Sequence, residues 1–390
     1  MKKILYSIVS LTFLLAACNS KDEVVSSLNE DNPQVSNEFA MSYDEAKGVL
    51  DFFVNDGADT RSDNKSFTVK DYKVKNIEVK IEDNTEIVPV YEYITLNENG
   101  DEGYSIVIAD RRIQKVLVQV EKGSIFDSID NVILKQYIES IPLKVTSDLK
   151  DYFNCNTGKQ QSKELNRDFN IITQECFLPT EWGQDNPYNI ACPSSTCSSN
   201  GHAKTGCVPL AIAQILAYHH VPGNLSWTQI LQQPHLTDST PQLYKDQVAN
   251  LIHDQWSIVN AYVHYYSDGT CSTSVDQSNL PLVKTAFNSY SLSCSNLKNY
   301  NLNDIKFSLD LEYPVFMSGR TSPIGGNGHA WVCDGYKVHV YDSDSYNYLH
   351  MNWGANGYSN GYFYAEPGNV SFFVGAYQFN YNITIITDIH

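Results

Sequence analysis

Between Ser42 and Asn55 the apolar residues Tyr43, Ala46, Val49, Leu50 and Phe53 recur at helical spacing, which predicts a short amphipathic helix. From Asn76 to Ile81 the period changes to two. Ile77, Val79 and Ile81 face one way and Glu78 and Lys80 the other, the alternation of a half-buried strand. Tyr91 to Leu96 predicts a second strand with weaker alternation. The Asn99-Gly100 pair, inside a turn from Asn97 to Gly103, is a hairpin signal leading into a third strand over Gly103 to Ala109. Val116 to Val120 reads as a fourth. Gly123-Ser124-Ile125-Phe126-Asp127 then opens a helix expected to reach Ile141. Nothing in this stretch gathers a nucleophile, a base and oxyanion donors.

Further along, Thr205 to Leu216 is almost continuously apolar, as a helix buried on all sides requires, and Pro209 suits its first turn, where no N–H is needed. Cys207 therefore starts a helix, where free N–H groups and the positive end of the macrodipole favour a thiolate. A lone cysteine at a helix start is more often an inert core residue, so its partners decide. His329 follows Gly325-Gly326-Asn327-Gly328, a glycine-rich loop opening into a strand from Ala330 to Val332. About twenty residues later comes Asn352-Trp353-Gly354, where Asn352 can bond an imidazole and Trp353 can shield that bond from water. Upstream, Gln184 offers an amide N–H that can meet an oxyanion.

Composition narrows the function. Across 390 residues, 27 Lys and Arg stand against 45 Asp and Glu, a net charge of −18 that repels phosphate backbones and argues against nucleic acid as a partner. With 26 Tyr, 16 Phe and 5 Trp the chain is neither disordered nor a coiled coil. Residues 1–165 carry 19 basic and 28 acidic side chains and residues 166–390 only 8 and 17, which places a domain boundary near 160–175. The polar run Gly158 to Asn170 is a plausible exposed connector. At the N-terminus, Lys2 and Lys3 precede an apolar stretch from Ile4 to Leu15, the layout of a secretory signal. It closes on Leu15-Ala16-Ala17-Cys18, which resembles a bacterial lipoprotein box with Cys18 as lipid attachment point and membrane anchor. Asn19 to Glu23 is similar to the export tag of Bacteroidetes surface lipoproteins, and residues 19–40 read as a tether.

Taken together, Trp182-x-Gln184-x-x-Pro187-Tyr188-Asn189, Thr205-Gly206-Cys207-Val208 with Ala213-Gln214, Gly328-His329-Ala330 with Asp334-Gly335-Tyr336, and Asn352-Trp353-Gly354 resemble streptopain-like cysteine peptidases. The order Gln, Cys, His, Asn is that of papain-type enzymes. The resemblance implies an α+β chain: a papain-like cysteine peptidase domain over 166–390, preceded by an α+β propeptide over 41–165 that inhibits it until removed by proteolysis. It implies an exported zymogen that cleaves proteins or peptides with Cys207, His329, Gln184, Asn352 and Trp353, and needs no metal or organic cofactor. The chain departs from the family pattern at Pro209 and at Ala355, the latter bearing on the rim of the cleft. One rival is a Cys3His zinc site of Cys192, Cys197, His202 and Cys207, spaced C-x4-C-x4-H-x4-C. A Cys192–Cys197 disulfide is the better reading of that run in an exported protein. A second rival is a surface binding lipoprotein that has lost activity.

Overall fold

The helical spacing after Ser42 folds as α1 (Tyr43–Val54), opened by a capping box in which the Ser42 side chain accepts from the Glu45 amide while Glu45 reaches back to the Ser42 amide. Its buried residues are Ala46, Val49, Leu50 and Phe53. The structure is a computed structural model and describes residues 37–55, 67–81, 84–124, 132–155, 169–320, 328–341, 344–366 and 383–390. The signal segment with Cys18, most of the 158–170 connector and the glycine loop at 325–327 lie outside the described residues.

Four antiparallel strands follow: β1 (Thr68–Ile81), β2 (Asn84–Leu96), β3 (Glu102–Ile108) and β4 (Lys115–Val120). In β1 the alternation holds, with Val79 buried, Ile77 and Ile81 half-buried, and Glu78 and Lys80 exposed. β2 is longer than its pattern suggests and buried on both faces from Val88 to Tyr93. A strand covered on both sides has no polar face to alternate with, which is why the spacing there is indistinct. The helix expected to reach Ile141 is two helices, α2 (Val132–Glu139) and α3 (Ile141–Cys155). Pro142 lacks the N–H that a continuing helix requires and fits only a first turn, so the chain breaks at Ser140 and restarts.

The remaining chain supplies β5 (Phe169–Gln174), α4 (Cys207–Tyr218), α5 (Trp227–Ile230), α6 (Gln242–Ile258), the hairpin β6 (Tyr262–Tyr265) and β7 (Cys271–Ser274), α7 (Leu282–Ser289), β8 (Lys298–Asn299) and α8 (Leu302–Asp310). It ends with β9 (Val315–Arg320), β10 (Gly328–Tyr341), β11 (Asp344–Asn352), β12 (Gly361–Ala365) and β13 (Thr384–Ile386). Among the described residues one sheet runs β1-β2-β3-β4-β12-β11-β10-β9-β13-β8, with β5 on β10. Hydrogen bonding passes from the N-terminal part to the C-terminal part where β4 pairs with β12, Gly361 opposite Val120 and Phe363 opposite Val118. A Cβ at Gly361 would sit 2.1 Å from the Gln119 carbonyl oxygen, so this crossing needs a residue without one.

Alternation along β10 divides the interior in two. Ala330 and Val332 join α4, α6 and α7 in one core. Trp331 and Cys333 join the other, which also holds Phe53, Ile106, Val118, Tyr348 and Phe363 and so draws on both parts of the chain. Phe53 lies edge-on to Tyr348 at 4.7 Å between ring centroids. The opposed burial fixes the register of β10, since a slip by one residue would exchange the two faces. It thereby fixes where His329 emerges.

Candidate active site

Helix α4 is buried at every residue from Val208 to Ala217. Gly206 precedes it at φ +81, and a Cβ there would meet Thr273 Cγ2 at 2.5 Å. Only glycine fits both the backbone and the space. This close approach presents Cys207, half-buried, at the first turn of a helix whose body cannot move. The dipoles of the Ala330, Cys207 and Val208 amides favour the thiolate, but burial outweighs them and pushes the thiol above its ordinary value.

His329 is the second residue of β10. Its Nε2 lies 3.0 Å from the carbonyl oxygen of Trp353. A carbonyl only accepts, so in the neutral imidazole Nε2 carries the hydrogen and Nδ1 keeps its lone pair. Burial lowers the His329 pKa to about 4, with the Trp353 carbonyl opposing the fall in part. The ring stacks on Trp331, 6.3 Å between centroids, and lies tilted to the Trp353 ring at 6.1 Å. The Ala330 amide, next to His329, is among those that favour the Cys207 thiolate, and α4 packs against β10. The structure forms no Cys207–His329 hydrogen bond.

Asn352 and Trp353, buried at the end of β11, take other positions than direct partners of the imidazole. Asn352 Nδ2 donates to the Thr180 carbonyl at 2.6 Å, and its Oδ1 accepts from Gly354 N at 3.2 Å and Gln214 Nε2 at 3.3 Å. No hydrogen bond joins it to His329. The Trp353 indole N–H is buried and meets no acceptor among the described residues, so that residue holds His329 through its main chain. Gln214, to which the sequence alone assigns no role, is the hub of this region. Its Oε1 accepts from Thr180 Oγ1 and from the Trp182 amide, each at 3.1 Å. It lies seven residues after Cys207, two turns along the same side of α4. Its signal was a buried amide in an otherwise apolar helix, which must find partners. Through Trp182 it anchors the segment leading to Gln184, whose own carbonyl accepts from Thr205 N at 2.9 Å.

Gln184, Cys207 and His329 line one cavity of about 610 Å³, together with the β6–β7 hairpin, Arg320 and Val132 from α2. The hairpin is fastened by a disulfide between Cys197 and Cys271, Cα atoms 6.0 Å apart. This corrects the expected Cys192–Cys197 pair. Cys192 is a free thiol, buried beside Ala203 and Trp256 while Cys197 turns toward the hairpin. With Cys197 bonded, the Cys3His zinc arrangement has lost a ligand, and no group of three or more metal-ligating side chains is found among the described residues. His350, on β11, pairs instead with Asp334 at 2.6 Å. Burial depresses its pKa, but the Asp334 charge and hydrogen bond prevail and raise it.

A family model described as the peptidase C10 family matches residues 182–238 and 223–363. Streptopain of Streptococcus pyogenes is 25% identical over 311 residues, 69% of this chain and 73% of that protein. The thiol protease/hemagglutinin PrtT of Porphyromonas gingivalis is 26% identical over 317 residues, 71% of this chain and 34% of that protein. The matched span takes in Gln184, Cys207, His329, Asn352 and Trp353.

Proposed function

The chain belongs to the streptopain-like cysteine peptidases of the peptidase C10 family, and from that premise we propose that it is an exported endopeptidase made as a zymogen, with Cys207 as nucleophile and His329 as base. The observation that carries the reading is the single cavity lined by Gln184, Cys207 and His329, with the His329 tautomer set by the Trp353 carbonyl. Nδ1 takes the thiol proton as Cys207 Sγ bonds to the scissile carbonyl carbon. The Gln184 amide and the Cys207 backbone N–H stabilise the oxyanion, each worth roughly 3 kcal/mol. His329 then protonates the leaving amine as the C–N bond breaks. Water attacks the thioester, giving its proton back through His329, and the thiol is restored as the acid leaves. Asn352 and Trp353 serve by holding the segments that carry these groups.

Residues 41–165 act in this reading as the intramolecular inhibitor, supported by Val132 at the cavity wall. Cys18 is the lipid attachment site of the precursor, and cleavage near residue 165 leaves that anchor with the propeptide.

Casein digestion by the full chain, with and without a thiol-alkylating epoxide, tests the function. The wild type should cleave casein and lose this on alkylation, and Cys207→Ala should neither cleave casein nor process itself. Casein cleavage by that variant at the wild-type rate would overturn the assignment.

A further inference from the structure

The β6–β7 hairpin lines the cavity through Tyr262, His264, Tyr266 and the strand from Cys271 to Ser274, yet its own packing does little to hold it there. Among the described residues its two strands pair only with each other, and neither contains a buried residue. A lone hairpin of this kind is marginal in water. Tyr262, Tyr265 and Tyr266 are exposed. Val263 packs on the small cluster of Cys192, Ala203 and Trp256, and Thr273 Oγ1 donates to the Lys204 carbonyl at 2.6 Å. A further tie is covalent: Cys271, the first residue of β7, is bonded to Cys197. Cys197 lies in a loop pinned where Asn200 Nδ2 donates to Asn189 Oδ1 at 2.7 Å. That loop runs on through Thr205, whose amide meets the Gln184 carbonyl, into Cys207. The disulfide thus couples one lining of the cavity to the segment that presents the nucleophile. Both its cysteines are half-buried, and Cys271 itself lines the cavity, within reach of a small thiol. Ser195, buried, places its Oγ 2.9 Å from Cys197 Sγ and 3.4 Å from Cys271 Sγ. A disulfide sulfur carries no hydrogen, so the hydroxyl donates.

We infer that the Cys197–Cys271 disulfide is a positioning bond for the polypeptide substrate. Closed, it sets the hairpin as a wall of the cleft; opened by a dithiol reductant, it releases that wall and weakens substrate binding. The inference rests on the peptidase reading and adds a redox limit to it. In the opening step a reductant thiolate bonds to Cys271 Sγ, the S–S bond breaks, and Cys197 leaves as a thiolate that accepts from the Ser195 hydroxyl. The reductant's second thiol, giving up its proton, then attacks its own bonded sulfur and displaces Cys271. Two electrons pass from the dithiol, which ends as a cyclic disulfide, and its two protons end on Cys197 and Cys271. Cys207 has the opposite need, since only its reduced form supplies the thiolate that attacks a carbonyl. Activity therefore passes through a maximum as reductant is raised.

Cleavage of one fluorogenic peptide across a dithiothreitol titration tests this, with the full chain after it has begun to cleave casein. At each step peptide mapping gives the fraction of Cys197–Cys271 still closed, and epoxide uptake gives the fraction of Cys207 that is reactive. Opening the bond should raise KM about tenfold, equivalent to about 1.4 kcal/mol, while kcat per reactive Cys207 changes less than about twofold. Cys197→Ser/Cys271→Ser should show the raised KM from the start, and dithiothreitol should then act only through Cys207. Should that protein not fold, the wild-type titration decides alone. A bond that dithiothreitol leaves closed in the folded protein, a KM unchanged by its opening, or a kcat that falls while KM holds overturns the inference and leaves the peptidase reading standing. Failure to cleave peptide or casein, with no epoxide uptake at Cys207, overturns that reading and this inference with it.

Discussion

The interior of the N-terminal part and the polar region behind the cavity solve the same problem by different means. In the former, Asp110 is fully buried and takes Arg112 at 2.7 Å, with Glu86 adding a second carboxylate at 3.1 Å. Nearby, Asp148 receives Lys144 at 2.8 Å and Lys115 at 3.1 Å, and Lys144 also pairs with Glu366 across the junction with the C-terminal part. Burial and the Lys115 charge bring the Lys144 pKa down to about 8. Behind the cavity the work falls to neutral groups: Gln214, Asn352, Thr180 and the Trp353 carbonyl. Neutral dipoles fix positions while imposing a weaker field than a full charge would on the thiol and imidazole beside them. The half-buried histidines His350 and His329 show what a carboxylate would have done. His350 against Asp334 is raised, while burial lowers His329, which has only a carbonyl to oppose it, to about 4.

The contrast fails first if the charged interior tolerates the loss of one partner. Asp110→Ala leaves the Arg112 guanidinium buried and should cost about 3–5 kcal/mol in urea unfolding, with Asp110→Leu/Arg112→Met recovering most of it. Turnover per folded molecule should not change, since neither residue lines the cavity.

Gln214→Leu attacks the neutral network. It strands Thr180 Oγ1 and the Trp182 amide in a buried place, while Asn352 Oδ1 keeps its bond from Gly354 N, for roughly 1–3 kcal/mol of stability. Because the same bonds position Gln184 and the Asn352–Trp353 corner, kcat should fall by about 10²-fold with KM changing less. A stable variant of unchanged kcat would leave Gln214 a packing residue only.

The histidines should then separate with pH. His350, raised in the fold, stabilises most below its ordinary value of 6.5 and loses this as pH rises through its higher folded value. His329, lowered in the fold, does the reverse: the unfolded chain takes up a proton below 6.5 that the folded protein refuses until about 4, so stability declines between those values. Thermal unfolding across pH should show His350→Gln costing most in acid and least in alkali. His329→Gln should flatten the acid decline. Parallel curves for both variants would mean that the Asp334 charge at His350 and the burial of His329 do not set the difference.

The smallest effect belongs to a partly exposed pair of the same chemistry as the buried ones. Lys47 and Asp51 meet at 2.6 Å one turn apart on α1, with side chains about a third and a quarter exposed. Lys47→Ala should alter unfolding by no more than about 0.5 kcal/mol, which marks burial rather than charge as the source of the larger losses.

Much of this was legible in the residues alone, because local physics decides it. Apolar spacing delimited α1, period-two alternation marked the end of β1, and an apolar run with an early proline placed Cys207 at the start of α4. The motif spacing drew attention to Gln184, Cys207 and His329, which share one cavity. Contacts between distant segments were decided only by the tertiary structure. Cys197 finds Cys271 across 74 residues, since sequence proximity to Cys192 carries no information about which way either thiol points. The break between α2 and α3 could have been read from Pro142, but the role of Gln214 could not, because a buried amide announces that it has partners without saying which. Likewise the partner of His329 is a main-chain carbonyl, and every residue has one. The sequence could name the side chains able to do the chemistry; which backbone atom holds the imidazole depends on how β10 and β11 lie beside one another.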